Sequence, residues 1–123
     1  MRVCRIVMLT LLSLACEPQY QVDLLAKTDS MLALATVRDS SPIAARTTSV
    51  AATLRLLGMH DSDSARLLVA REGIRWNAGE LKGDTAFTFF SYGESGLGLL
   101  GVTYVREDNT SEWKLHWIGF LDE

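Results

Sequence analysis

Alanine and the aromatic residues divide this chain in two, and that division limits its fold more than any other feature. Ten of the twelve alanines lie at or before Ala70, and nine of the ten aromatic residues lie at or after Trp76. Alanine loses no side-chain entropy in a helix, whereas aromatic side chains fit the half-buried surface of a pleated strand. The first half is therefore expected to be helical and the second β-rich. No Pro/Gly/Ser-rich linker separates the halves, so they are expected to share one core.

The first helix is predicted over about Tyr20 to Val37, with Leu24, Leu25, Thr28, Met31, Leu32 and Ala35 as its apolar stripe and Asp23 and Lys27 paired on the wet side. A second is predicted from Ser41 as N-cap and Pro42 at the first helical position to Gly58 just past the end, burying Ile43, Thr47, Val50, Leu54 and Leu57. A third follows over Ser62 to Glu72, capped by Asp61 and stopped by Gly73, although Arg66 to Arg71 also reads as a strand. Beyond it the patterns predict a short strand at Ile74 to Asn77 and longer ones at Thr85 to Tyr92, Leu97 to Arg106 and Glu112 to Phe120. Gly93-Glu94-Ser95-Gly96 and Glu107 to Ser111 have hairpin lengths and turn residues, and Gly98 and Gly101 suggest a bend or bulge. The expected fold class is α+β, with two or three N-terminal helices packed on a C-terminal antiparallel meander sheet. That outline resembles the cystatin-like and NTF2-like shape, a likeness of architecture that carries no function by itself.

Met1 to Arg5 carries Arg2 and Arg5 and no acid, and it leads into the apolar run Ile6 to Ala15. This is the layout of a secretory signal. Ten residues rise only about 15 Å as a helix, about half of a hydrocarbon core, so the run is short for a membrane span. Leu12-Ser13-Leu14-Ala15-Cys16 resembles the bacterial lipoprotein box, with Ser13 where leucine is usual; the resemblance implies a signal peptide over 1–15, lipidation of Cys16, a tether over 16–19 and a domain over 20–123. Ser13-Leu14-Ala15 also suits an ordinary signal peptidase, which would give a secreted or periplasmic soluble protein. Cys4 lies in the segment expected to be removed, leaving Cys16 as the one exported thiol, and lipidation would protect it from oxidation. Removing the leader takes away Arg2 and Arg5 and no acid, so the net charge of −3 becomes more negative. An acidic domain repels phosphate backbones and anionic lipid, so nucleic acid is not an expected partner and a lipid anchor must hold the membrane.

Three clusters have the residue types of active chemistry. Gly93 to Gly98 is glycine-rich like a phosphate loop and contains Ser95, but it joins two strands and carries Glu94, which favours a plain hairpin. His60, Asp61 and Asp63 offer metal-type donors, yet Ser64-Ala65-Arg66 follows where a calcium loop needs further oxygens, so helix capping is expected and no metal or cofactor. On the last strand Trp113, Leu115 and Trp117 alternate on one face, with Lys114, His116, Ile118 and Phe120 on the other. The tryptophans are expected as core under the helices, leaving His116, Ile118 and Phe120 as a contact patch. A pocket between helices and sheet, lined by Phe87, Phe89, Tyr104 and Trp117, is the other candidate. Together these readings point to a non-enzymatic, lipid-anchored envelope protein that binds another envelope protein, as assembly accessory, inhibitor or immunity-type factor. Its expected address is the outer membrane more than the inner. The alternative is a small-ligand binder or pocket enzyme of cystatin-like or NTF2-like shape.

Overall fold

A computed structural model describes residues 19–121. Three helices precede a four-stranded antiparallel meander: α1 (Gln19–Thr36), α2 (Ser40–Ala45), α3 (Val50–Glu72), then β1 (Arg75–Lys82), β2 (Thr85–Tyr92), β3 (Gly98–Val105) and β4 (Lys114–Phe120), in sheet order β1-β2-β3-β4. The chain is an α+β fold, as its composition predicts.

Helix α1 buries Leu24, Thr28, Met31, Leu32 and Ala35, the predicted stripe, with Leu25 half-buried beside them. Lys27 does not pair with Asp23. It reaches Glu112 at 2.9 Å, while Gln19 donates to Asp23.

The predicted second helix is divided. The backbone at Arg46 to Thr48 is taken by β4: the Leu115 N–H donates to the Arg46 carbonyl, and the Thr48 N–H donates to the Leu115 carbonyl. A chain bonding to a strand edge cannot also continue a helix there, so α2 stops at Ala45 and α3 starts at Val50 with Ser49 as its cap, accepting from the Ala52 N–H. The break changes the helical phase of every residue beyond it. Val50 and Leu54, expected in the core, are exposed, and Gly58 lies inside α3. Arg66 to Arg71 is helical, and α3 ends at Gly73 as predicted. Its cap after the kink is neither Asp61 nor Ser62: Asp63 leaves helical geometry (φ −157°, ψ 73°) and its Oδ1 accepts from the Arg66 N–H.

Strand β1 runs on to Lys82, five residues past the predicted end, because pairing to β2 and not apolar content holds it there. Gly83 and Asp84 close a two-residue hairpin in which only Gly83 has positive φ (60°), the pattern of a II′ turn. A bulge leaves Asn77 unpaired between Trp76 and Ala78, and the Trp76 ring lies between Tyr20 (5.7 Å) and Phe90 (5.5 Å). Helices cover one face of the sheet. Ala86, Phe90, Leu100, Val102, Tyr104, Leu115 and Ile118 are buried beneath them. Within this core the Thr28 hydroxyl donates to the Leu24 carbonyl and shares a 2.6 Å bond with the Tyr104 hydroxyl.

Candidate functional site

The last strand does not keep one alternation. Thr103 pairs with Trp117 and Tyr104 with Leu115, so His116 is the extra residue of a bulge. One inserted residue reverses the facing of every side chain beyond it. Leu115 therefore points to the core while Trp117 points away from it, and Ile118 returns to the core. Trp113 is buried before the strand begins, under the guanidinium of Arg106 at 4.3 Å. The expected contact patch is not formed: Ile118 is fully buried, Phe120 is half-buried under Arg66 and Tyr92, and His116 stands at the strand edge with Nδ1 2.8 Å from the Thr48 hydroxyl.

The expected pocket is not formed either, because its four residues belong to opposite faces. Tyr104 is buried under the helices, and burial pushes its phenol well above the ordinary tyrosine range. Phe87, Phe89 and Trp117 lie on the far face. Side chains at or near full burial fill the space between helices and sheet.

The helix-free face is the surface these registers build. One row runs Glu80, Phe87, Thr103, Trp117; the next runs Ala78, Phe89, Gly101, Gly119. Phe87 is 39% exposed, Phe89 37% and Leu121 41%. The glycines let large side chains lie flat: a Cβ on Gly119 would stand 2.7 Å from the Trp117 ring, and one on Gly101 2.9 Å from Leu121. On the β4 side, Arg55 of α3 places its guanidinium carbon 4.4 Å from the Trp117 ring centroid and donates from Nε to the Ile118 carbonyl.

At the end of the sheet, an open groove of about 570 Å³ is lined by Thr47, Thr48, Arg106, Ser111 and Lys114 among others. Among the described residues no group of three or more His, Cys, Asp or Glu could hold a metal ion, and no helix is long and apolar enough to cross a membrane. Gly93 to Gly96 forms a turn with positive φ at both glycines, and Ser95 accepts from the Leu97 N–H. His60, Asp61 and Arg38 form an exposed network in which the guanidinium, donating to both carboxylate oxygens at 2.9 Å, holds the Asp61 carboxyl well below the usual range, with His60 adding a third bond. Cys16 lies outside the described residues. Arg55 was not legible as a site residue, since nothing in its own sequence neighbourhood signals the strand it reaches. No family model, curated protein or solved structure matches the chain.

Proposed function

We propose that this chain is the precursor of a bacterial envelope lipoprotein, lipidated on Cys16, whose domain is a non-enzymatic protein-binding module. The observation that carries the binding reading is the helix-free sheet face, on which Phe87, Phe89 and Trp117 stand partly exposed and in register, with Leu121 beside Gly101. A rigid sheet presenting aromatic residues is the composition found at the centres of protein interfaces. The filled helix–sheet interface favours this reading over a pocket enzyme. The groove beside Thr48 and Lys114 is the observation that favours the small-ligand alternative, its volume falling in the range of ligand sites.

The address comes from the sequence of 1–16. Only Glu17 and Pro18 separate Cys16 from α1, a reach of at most about 11 Å. A lipid there would hold the domain against its membrane, so the partner is membrane-embedded or anchored in the same leaflet. The test has two arms. Cys16→Ala should leave a slower-migrating precursor without incorporated fatty acid, and unchanged labelling would remove the lipoprotein reading. Phe87→Ser with Phe89→Ser should abolish crosslinking to an envelope protein while leaving the melt unchanged; retained crosslinks would show that another surface binds.

A further inference from the structure

Half of the ten lysines and arginines in the described residues are neutralised locally by a carboxylate that the structure shows. Lys27, Arg38, Arg71, Lys82 and Arg106 each stand 2.9 to 3.9 Å from a carboxylate. Arg46, Arg55, Arg75 and Lys114 do not; Arg75, on β1 at the opposite edge of the sheet, donates to the Gly73 and Gly93 carbonyls. Arg46 Nη1 donates to the Pro42 carbonyl, and Arg55 Nε to the Ile118 carbonyl. Arg46 and Lys114 act on Glu112 only as neighbouring charges, its carboxylate being already bonded to Lys27.

Arg46, Arg55 and Lys114 gather along β4. The Arg46 carbonyl accepts from Leu115, Lys114 opens the strand, and Arg55 sits on Ile118 and Trp117. From 114 to 118 the bulged strand advances only three pairs along β3, about 10 Å. Trp117 lies within that span, and Leu54 (61% exposed) precedes Arg55 on α3. The chain as a whole is acidic, with 15 acids against 12 bases. Among the described residues no carboxylate is within ion-pair distance of these three, and the nearby Glu112, which lines the same groove as Lys114, is already bonded to Lys27. A positive strip with an aromatic residue in it, on a negative body, is complementary to an acidic ligand, because charges brought out of water at an interface need opposite charges to meet them.

We infer that this strip docks an acidic, extended segment of the partner protein. One carboxylate meets Arg46 and Lys114, a second meets Arg55, and an apolar side chain between them rests on Trp117. The segment is thus acidic at two positions that flank an apolar one. This inference rests on the reading of the sheet face as a protein-binding surface and names the chemistry of its partner.

The probe is fluorescein-Gly-Gly-Glu-Ser-Phe-Ser-Glu amide, labelled on its N-terminal amine, with fluorescein-Gly-Gly-Lys-Ser-Phe-Ser-Lys amide as control, titrated by anisotropy against the full chain in a non-ionic detergent. The acidic peptide should bind and the lysine peptide should not. R46Q/R55Q/K114Q should weaken binding roughly tenfold or more, as should raising salt from about 0.05 to 0.5 M. R46Q/K114Q leaves Arg55 on Trp117 and should weaken binding in the same direction should R55Q loosen β4. Equal binding of both peptides, or unchanged binding by the neutralised variants, overturns the inference. So does binding to phosphatidylglycerol vesicles but not to the acidic peptide, which would make the strip a membrane contact, and so does self-association that the triple variant abolishes. Envelope crosslinks lost with Phe87→Ser and Phe89→Ser but kept with R46Q/R55Q/K114Q would leave the protein-binding reading standing and remove the acidic segment.

Discussion

Arg55 of α3 and Trp117 of β4 are 62 positions apart in the chain and in contact in the fold, the guanidinium carbon 4.4 Å from the ring centroid. The same side chain bonds the Ile118 carbonyl, which points from the outer edge of β4 beyond the stretch that Arg46 to Thr48 cover. One residue thus fixes the orientation of an exposed aromatic ring and occupies an acceptor that another strand would otherwise use. Arg55→Ala should lower stability by about 1 to 2 kcal/mol in a denaturant titration and move Trp117 emission toward that of a freely rotating indole. An unchanged spectrum would mean that the glycines beneath the ring position it unaided.

The Thr28–Tyr104 pair predicts an asymmetry between its two deletions. Tyr104→Phe leaves Thr28 donating to Leu24, so the loss should be about 1 kcal/mol. Thr28→Val leaves the buried phenol without its partner and should cost about 1 to 3 kcal/mol. Equal losses would show that water reaches the phenol.

Burial raises the Tyr104 phenol above its unfolded value, so the neutral form is the one the fold tolerates. For an acid raised on folding, the contribution is fully present below the unfolded value near 10 and is lost as pH rises above it, at about 1.4 kcal/mol per pH unit. The wild-type chain should lose stability above about pH 10, and Tyr104→Phe should flatten that decline.

Asp61 makes the opposite case at the surface. Its carboxyl is depressed chiefly by the Arg38 hydrogen bonds, so the ionised form is favoured in the fold and that preference is lost as pH falls through the folded value. A carboxyl NMR titration should find Asp61 ionised where ordinary aspartates are half-protonated, and Arg38→Gln should move it upward. Insensitivity to Arg38→Gln would assign the shift to His60.

Gly79 is tested by sterics. A Cβ there would stand 2.5 Å from the Trp76 ring, which Tyr20 and Phe90 flank. Gly79→Ala should cost about 1 to 3 kcal/mol, measured by thermal or denaturant melting, because the ring has neighbours on two sides and cannot move aside freely.

The sequence by itself determined what depends on neighbours within one turn or one strand. Alanine and aromatic content separated the helical half from the β half, the stripe from Leu24 to Ala35 identified the buried side of α1, Gly73 ended α3, and Thr85 to Tyr92 bounded β2 to the residue. Tertiary structure decided whatever depends on a partner distant in the chain. The backbone of Arg46 to Thr48 bonds to Leu115, 67 to 69 positions away, and that pairing divided an otherwise helical pattern and exposed Val50 and Leu54. The bulge at His116 belongs to the pairing of β3 with β4 and to no pattern in β4 alone, yet it decided that Trp117 faces solvent while Ile118 faces the core. Local propensity is a sum over adjacent residues. Register is fixed only when two strands meet, and a shift of one residue exchanges the faces, so the candidate site stayed hidden until the sheet was assembled.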